Sequence, residues 1–187
     1  MISAEFREHI ELQRPTLYAG CMTGTSADAI ADFTIACFDP QGQPRYHANL
    51  PIDIPDRLRQ RLHYLSEAPY PPLSRTEIQA TETQLSDFLT NAYAHAIAHW
   101  NLKDYPKNRL VLSPHGQTVY HRPAHRLTQQ LLNAQRIHAA TGYPIVHGHR
   151  TACIAVSNAA PLAPLLLEKI LAHDNRCNII INGGGIA

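Results

Sequence analysis

Three short segments of this sequence collect the residue types that handle phosphates, sugars and protons. The first runs Gly20-Cys-Met-Thr-Gly-Thr-Ser-Ala-Asp28. Glycine lets backbone amides approach an anion, the hydroxyls of Thr25 and Ser26 donate hydrogen bonds, and Asp28 can hold a magnesium ion. Lysine is absent, so this is not a Walker loop. Taken alone, the same residues serve equally well as a polar hairpin turn between two strands. The second segment is Ser113-Pro-His-Gly-Gln-Thr-Val-Tyr-His-Arg-Pro123. His115, Gln117, Thr118 and His121 offer several donors and acceptors in a short space, a set that suits a polyhydroxylated ligand. A strand-end loop packed against itself is the simpler alternative. The third runs from Pro144 to Pro164 and contains Arg150, which can grip a carboxylate or phosphate or remain an ordinary surface arginine.

Histidine and cysteine are the other candidates. Twelve histidines are present, and His147-Gly-His149 reads as a strand end with both side chains on one face. With His115, His121 and Cys153 these residues raise a metal or redox module as a minor alternative. No carboxylate lies near them in sequence to complete a metal site. The four cysteines, at 21, 37, 153 and 177, form neither a Cys-x-x-Cys pair nor a zinc-like spacing. They read as free thiols in a reducing compartment.

The segments need elements to hold them. Residues 1–15 read as an irregular start. Thr16–Met22, Ala29–Phe38 and Arg45–Ile54 read as strands forming an opening meander, with a Pro- and Gly-bearing turn from Asp39 to Pro44. Pro55 to His63 reads as a short helix with proline at its first position. Ser74 to Trp100 is the longest helical stretch, opened by a capping box of Ser74 and Glu77. Arg109–Ser113 reads as a buried strand, Asn133–Thr141 as a helix ending at Gly142, and Tyr143–His147 as another strand. A helix over 161–173 and a strand over 178–182 complete the pattern. Strands alternating with helices after a meander predict an α/β domain with a mixed sheet.

Composition narrows the function classes. The chain has 187 residues, 44% hydrophobic and 17% charged, enough to bury a core and unlike a disordered chain. The formal net charge of +1, with no basic block, does not suggest nucleic acid as a partner. No apolar run is long enough to span a membrane. The first residues lack the basic start and apolar stretch of a secretory signal, so a cytoplasmic location is the default expectation.

The three segments in this order, with the closing Asn182-Gly-Gly-Gly-Ile-Ala187, resemble the anhydro-N-acetylmuramic acid kinases of bacterial cell-wall recycling. That family shows Met-Ser-Gly-Thr-Ser-x-Asp-Gly-x-Asp near its start, similar to Met22-Thr-Gly-Thr-Ser-Ala-Asp28-Ala-Ile-Ala31 here. Its His-Gly-Gln-Thr stands intact as His115 to Thr118, followed by His121-Arg-Pro. The resemblance covers nearly the whole chain but only about the first half of a family member. It implies an actin-like, sugar-kinase (ribonuclease H-like) fold with two α/β lobes and ATP between them. Residues 1–187 then make an N-terminal lobe, cut at the start of the second. The implied reaction uses ATP and water to open the 1,6-anhydro ring and phosphorylate O6, giving N-acetylmuramic acid 6-phosphate. Gly24, Thr25, Ser26, Ala27 and Asp28 would then meet ATP and magnesium, with Asp28 towards the metal. His115, Gln117, Thr118 and Arg150 would lie around the sugar. A homodimer is also expected by resemblance.

Departures from the pattern fall on chemical positions. The second loop glycine and second Asp of the family are Ala29 and Ala31 here, and Asp32, one place on, would face the opposite side of the strand. The family's Asp-Phe-Arg-x-x-Asp reads Gly148-His-Arg150-Thr-Ala-Cys153, so both aspartates are replaced. By resemblance one of them is the base that activates water, and Cys153 stands in its place. A thiol is mostly protonated at neutral pH, and losing a general base removes roughly 10²–10⁴-fold in rate. The family's Gly-Asp-Pro turn reads Leu132-Asn-Ala134. These changes predict an impaired kinase, with a catalytically inactive remnant or binding-only lobe as the alternative.

Overall fold

Apolar residues at every second position of the first two strands set the architecture. Leu17, Ala19 and Cys21 point to one side, as do Ala31, Phe33, Ile35 and Cys37, and all are buried. In the computed structural model, residues 15–23, 29–67 and 74–156 are described, with positions 4, 8 and 13 ahead of them. Strands β1 (Leu17–Met22), β2 (Ile30–Phe38), β3 (Pro44–Asp53) and β4 (Leu110–Pro114) form one sheet in the order β3-β2-β1-β4. The first three are an antiparallel meander, while β4 runs parallel to β1, Leu17 beside Leu110 and Cys21 beside Pro114. The β2–β3 turn is closed by Asp39, whose Oδ1 accepts from the amides of Gln41 and Gln43, with Gly42 at φ 77°.

Two helices cover the apolar face. Helix α1 (Asp56–Glu67) contributes Leu58, Leu62 and Leu65, and α2 (Arg75–His99) contributes Leu85, Leu89, Ala92, Tyr93, Ala96 and Ile97. The Tyr93 ring meets Phe33 of β2 edge-on at 4.9 Å. The capping box forms as expected: Ser74 Oγ accepts from the Glu77 amide, and Glu77 returns a carboxylate to the Ser74 amide. Helix α1 starts after Pro55 and extends four residues beyond the expected end at His63.

Three expectations are corrected. Tyr143–His147 is not a strand: only Ile145 bridges, parallel to Leu112, because Pro144 and Gly148 interrupt the ladder. The polar stretch after β4 is a hairpin rather than a loop, with β5 (Gln117–Arg122) antiparallel to β6 (Leu127–Leu131) and Arg126 in the left-handed region at its turn. Arg109 belongs to a 3₁₀ turn over Lys107–Arg109, not to β4. Helix α3 (Ala134–Thr141) ends at Gly142 with φ 71°, as predicted. Asn133 caps its start by accepting from the Arg136 amide. The expected irregular start over 1–15, apart from Pro15, the helix over 161–173 and the strand over 178–182 lie outside the described residues. No helix among the described residues is long and apolar enough to cross a membrane.

The core and the cap of α2 carry separate tests. Leu89→Ala empties a fully buried site and is expected to cost about 2–5 kcal/mol in denaturant unfolding. Ser74→Ala removes the cap of α2 and should cost about 1 kcal/mol. A loss in the second variant equal to the first would contradict this division.

Candidate functional site

Parallel strands bring their carboxyl ends to one edge, where open α/β sheets present ligand-binding groups. Here β1 leads into Thr23, β4 leads into His115, and the Ile145 bridge leads to the turn that begins helix α4 (His149–Val156). All three sequence segments therefore reach the same edge of the sheet. The His115 amide donates to the Cys21 carbonyl at 3.0 Å, carrying the β1–β4 ladder one step past β4.

A buried hydrogen bond ties the first segment to the second. Thr23 Oγ1 donates to Gln117 Oε1 at 2.6 Å, with Thr23 2% and Gln117 0% exposed. Gln117 is thus part of the scaffold at this edge. Gly116 makes the turn possible. Its φ is 74°, and a Cβ there would lie 2.5 Å from the Leu131 carbonyl oxygen and 3.0 Å from Leu132 Cβ. Only glycine fits both the backbone angle and the gap.

His115 is half-buried. Its Nδ1 lies 2.8 Å from the Gly116 carbonyl, an acceptor, so Nδ1 carries the hydrogen and Nε2 is an acceptor in the neutral ring. Burial lowers its pKa most, and the charges of Arg150 and His149 lower it further against the opposing Gly116 bond. Nε2 is buried and has no hydrogen-bond partner among the described residues. A buried acceptor of this kind fits a ligand hydroxyl or an ordered water. Thr118 is turned into the hairpin, its Oγ1 3.4 Å from Gln130 Nε2. His121, four residues along β5 from Gln117, meets Thr128 Oγ1 at 3.2 Å and is held within the hairpin as well.

The His-x-His reading on a strand is corrected. Gly148 at φ 76° turns the chain, and His149 opens a helix instead of continuing an extended segment. His147 is exposed, whereas His149 is half-buried and its Nε2 sits 3.1 Å from Ser113 Oγ. Helix geometry places Cys153 one turn beyond His149 on the same face. Arg150 lies close enough for its charge to act on His115 and to be influenced by Cys153. His115, His149, Arg150 and Cys153 thus form one neighbourhood, while His147 is its exposed margin. Sequence reasoning missed Ser113 and His149 as a pair, because their contact joins β4 to α4 across 36 residues. Among the described residues no three His, Cys, Asp or Glu side chains gather to hold a metal ion.

The phosphate-loop candidates Gly24, Thr25, Ser26, Ala27 and Asp28 lie outside the described residues. Their flanks are Thr23, buried against Gln117, and Ala29, exposed. Ala31 is fully buried and Asp32 exposed on the other face, accepting from Asn49 Nδ2 at 3.4 Å. The carboxylate at position 32 therefore does not replace one at 31.

Burial of the His115 imidazole links the site to stability. Its folded pKa lies below the ordinary 6.5, so folding disfavours the proton. The stabilisation is complete above about pH 6.5 and is lost as pH falls through the lowered folded value. The melting temperature is expected to drop across that interval, and His115→Gln should flatten the drop. An unchanged pH profile in the variant would show that His115 is not the linked group.

The family model for anhydro-N-acetylmuramic acid kinase matches residues 16–187. The chain is 31% identical over 172 residues to a protein of Acinetobacter baylyi named anhydro-N-acetylmuramic acid kinase, covering 91% of this chain and 44% of that protein. Proteins of the same name from Idiomarina loihiensis and Thiobacillus denitrificans are 31% and 33% identical, covering 91% of this chain and 46% and 44% of theirs. The chain spans less than half the length of these curated relatives.

Proposed function

The chain belongs to the anhydro-N-acetylmuramic acid kinase family, and from that premise we propose that it is a sugar-kinase lobe that binds the 1,6-anhydro amino sugar and a nucleoside triphosphate, with catalysis weakened by its lost carboxylates. The observation that carries this reading is the arrival of all three polar segments at one sheet edge. A sugar hydroxyl donating to His115 Nε2 gives that buried acceptor a partner. Arg150, on the first turn of α4, supplies a cation for the sugar's carboxylate. Gln117, bonded to Thr23, and Thr118, bonded to Gln130, keep the surrounding backbone in place.

Gly24, Thr25, Ser26, Ala27 and Asp28 would receive ATP at the end of β1. Their amides, two hydroxyls and one carboxylate are a suitable donor set for a magnesium-bound phosphate chain. Bound magnesium would neutralise phosphate charge there, with Asp28 as the protein group towards it. The family reaction opens the 1,6-anhydro ring with water and transfers phosphate to O6. Cys153, where the family has an aspartate, is a poor base at neutral pH. This substitution favours a second reading, a lobe that binds without turning over. The lobe as a unit over 1–187, a cytoplasmic location and pairing into a homodimer are parts of the same proposal.

Calorimetry with the anhydro sugar tests the binding. The unmodified chain is expected to bind, and His115→Ala to weaken binding about 10-fold or more, the cost of one buried hydrogen bond. Equal affinity in the two proteins would remove His115 from the site. Absence of any binding would sink the proposed substrate. In an ADP-release assay, Cys153→Asp is expected to raise turnover, and no change would acquit position 153.

A further inference from the structure

Ser113 and His149 form a polar pair to which the proposed function gives no role. Ser113 Oγ and His149 Nε2 are 3.1 Å apart, across the carboxyl edge shared by β4 and α4. Both residues are half-buried. His149 lies between Gly148 and Cys153, the two positions where the resemblance implies aspartates. Among the described residues, a Cβ at Gly148 would meet no atom within 4 Å. On α4 the Cys153 thiol stands one turn from the imidazole. The neighbouring ionisable groups are His147 before the helix, His115 from the β4–β5 turn, and Arg150 and Cys153 on α4 itself. Strand β6, on which α4 packs, contributes Thr128, Gln129 and Gln130 and no ionisable side chain.

We propose that His149, hydrogen-bonded to Ser113, is the proton acceptor for the attacking water in this chain. The inference rests on the sugar-kinase reading above. With hydrogen on Nδ1, Nε2 accepts from the Ser113 hydroxyl. Water then gives one proton to Ser113 Oγ as the serine proton passes to Nε2. The water oxygen forms its bond to the anomeric carbon, and the bond from that carbon to O6 breaks with its electron pair left on O6. O6 takes the γ-phosphoryl group of ATP, and the broken phosphorus–oxygen bond leaves its pair on ADP. The imidazolium releases its proton to solvent. Burial, with His147 nearby, lowers the His149 pKa below 6.5, so the ring is neutral and able to accept at neutral pH. Turnover by this route falls as pH drops through that lowered midpoint.

The test uses the full chain with ¹⁵N-labelled histidine. Ring resonances are followed by NMR against pH, with and without 1,6-anhydro-N-acetylmuramic acid, and ADP release is measured with magnesium ATP. The sugar is expected to move the His149 resonance, and the acid limb of the rate profile to sit at the His149 midpoint. His149→Phe and His149→Gln should lower kcat roughly 10²–10⁴-fold, the usual contribution of a general base, with little change in KM. Ser113→Ala should shift the midpoint and the acid limb together. Cys153→Asp is expected to restore turnover in the His149→Phe background, which also guards against a folding defect in that variant. Undiminished turnover in both His149 variants overturns the proposal. So does a sugar that moves the His115 resonance and leaves His149 still, or a sugar-bound chain that releases no ADP; these outcomes leave the binding reading intact. A chain in which no histidine responds to the sugar overturns the substrate assignment, and this inference with it.

Discussion

One amide of His115, donating to the Cys21 carbonyl, continues the parallel ladder that places β4 beside β1. Most other features of the site depend on that pairing. Parallel strands cannot be joined by a tight turn, so the chain between β1 and β4 must cross the sheet face, and α1 and α2 make that crossing. The crossing supplies Leu62, Leu85, Leu89 and Tyr93 to the core. It also leaves the ends of β1 and β4 side by side, where their polar residues meet.

Hydrogen bonding then fixes what the ladder has aligned. Thr23 and Gln117 are 94 positions apart in sequence yet share a buried bond of 2.6 Å. A buried amide side chain without its partner is costly, so the bond holds the two segments in register. Gly116 reinforces this by allowing the hairpin backbone to come within van der Waals distance at Leu131. Helix α3 is anchored to α2 by the Asn133 amide donating to Ser86 Oγ and by the Arg136–Asp87 ion pair. That anchoring leads the chain back from the hairpin to the bridge at Ile145.

The electrostatic character of the edge follows from its ionisable groups. The described part of the site contains imidazoles, a guanidinium and a thiol. His115 and His149 are each shifted towards neutrality by partial burial, and each has cationic or imidazole neighbours that add to the shift. Among the described residues of this edge, the titratable groups that neutralise near pH 7 are imidazoles.

The sequence by itself determined the elements whose signal is local. A short apolar run placed β1, β-branched and aromatic residues placed β2, the Ser74–Glu77 box placed the start of α2, and Gly142 placed the end of α3. It also exposed the His-Gly-Gln-Thr motif, because residue identity is enough for that. The β5–β6 hairpin was not legible, since its residues are mostly polar and its turn is set by a left-handed Arg126 rather than a glycine. The segment at Ile145 looked like a strand because it is apolar, but Pro144 and Gly148 limit it to one bridge. Only the tertiary structure decided that Thr23 meets Gln117 and that Ser113 meets His149. Contacts between residues so far apart depend on how strands pair and helices cross, which no local periodicity encodes.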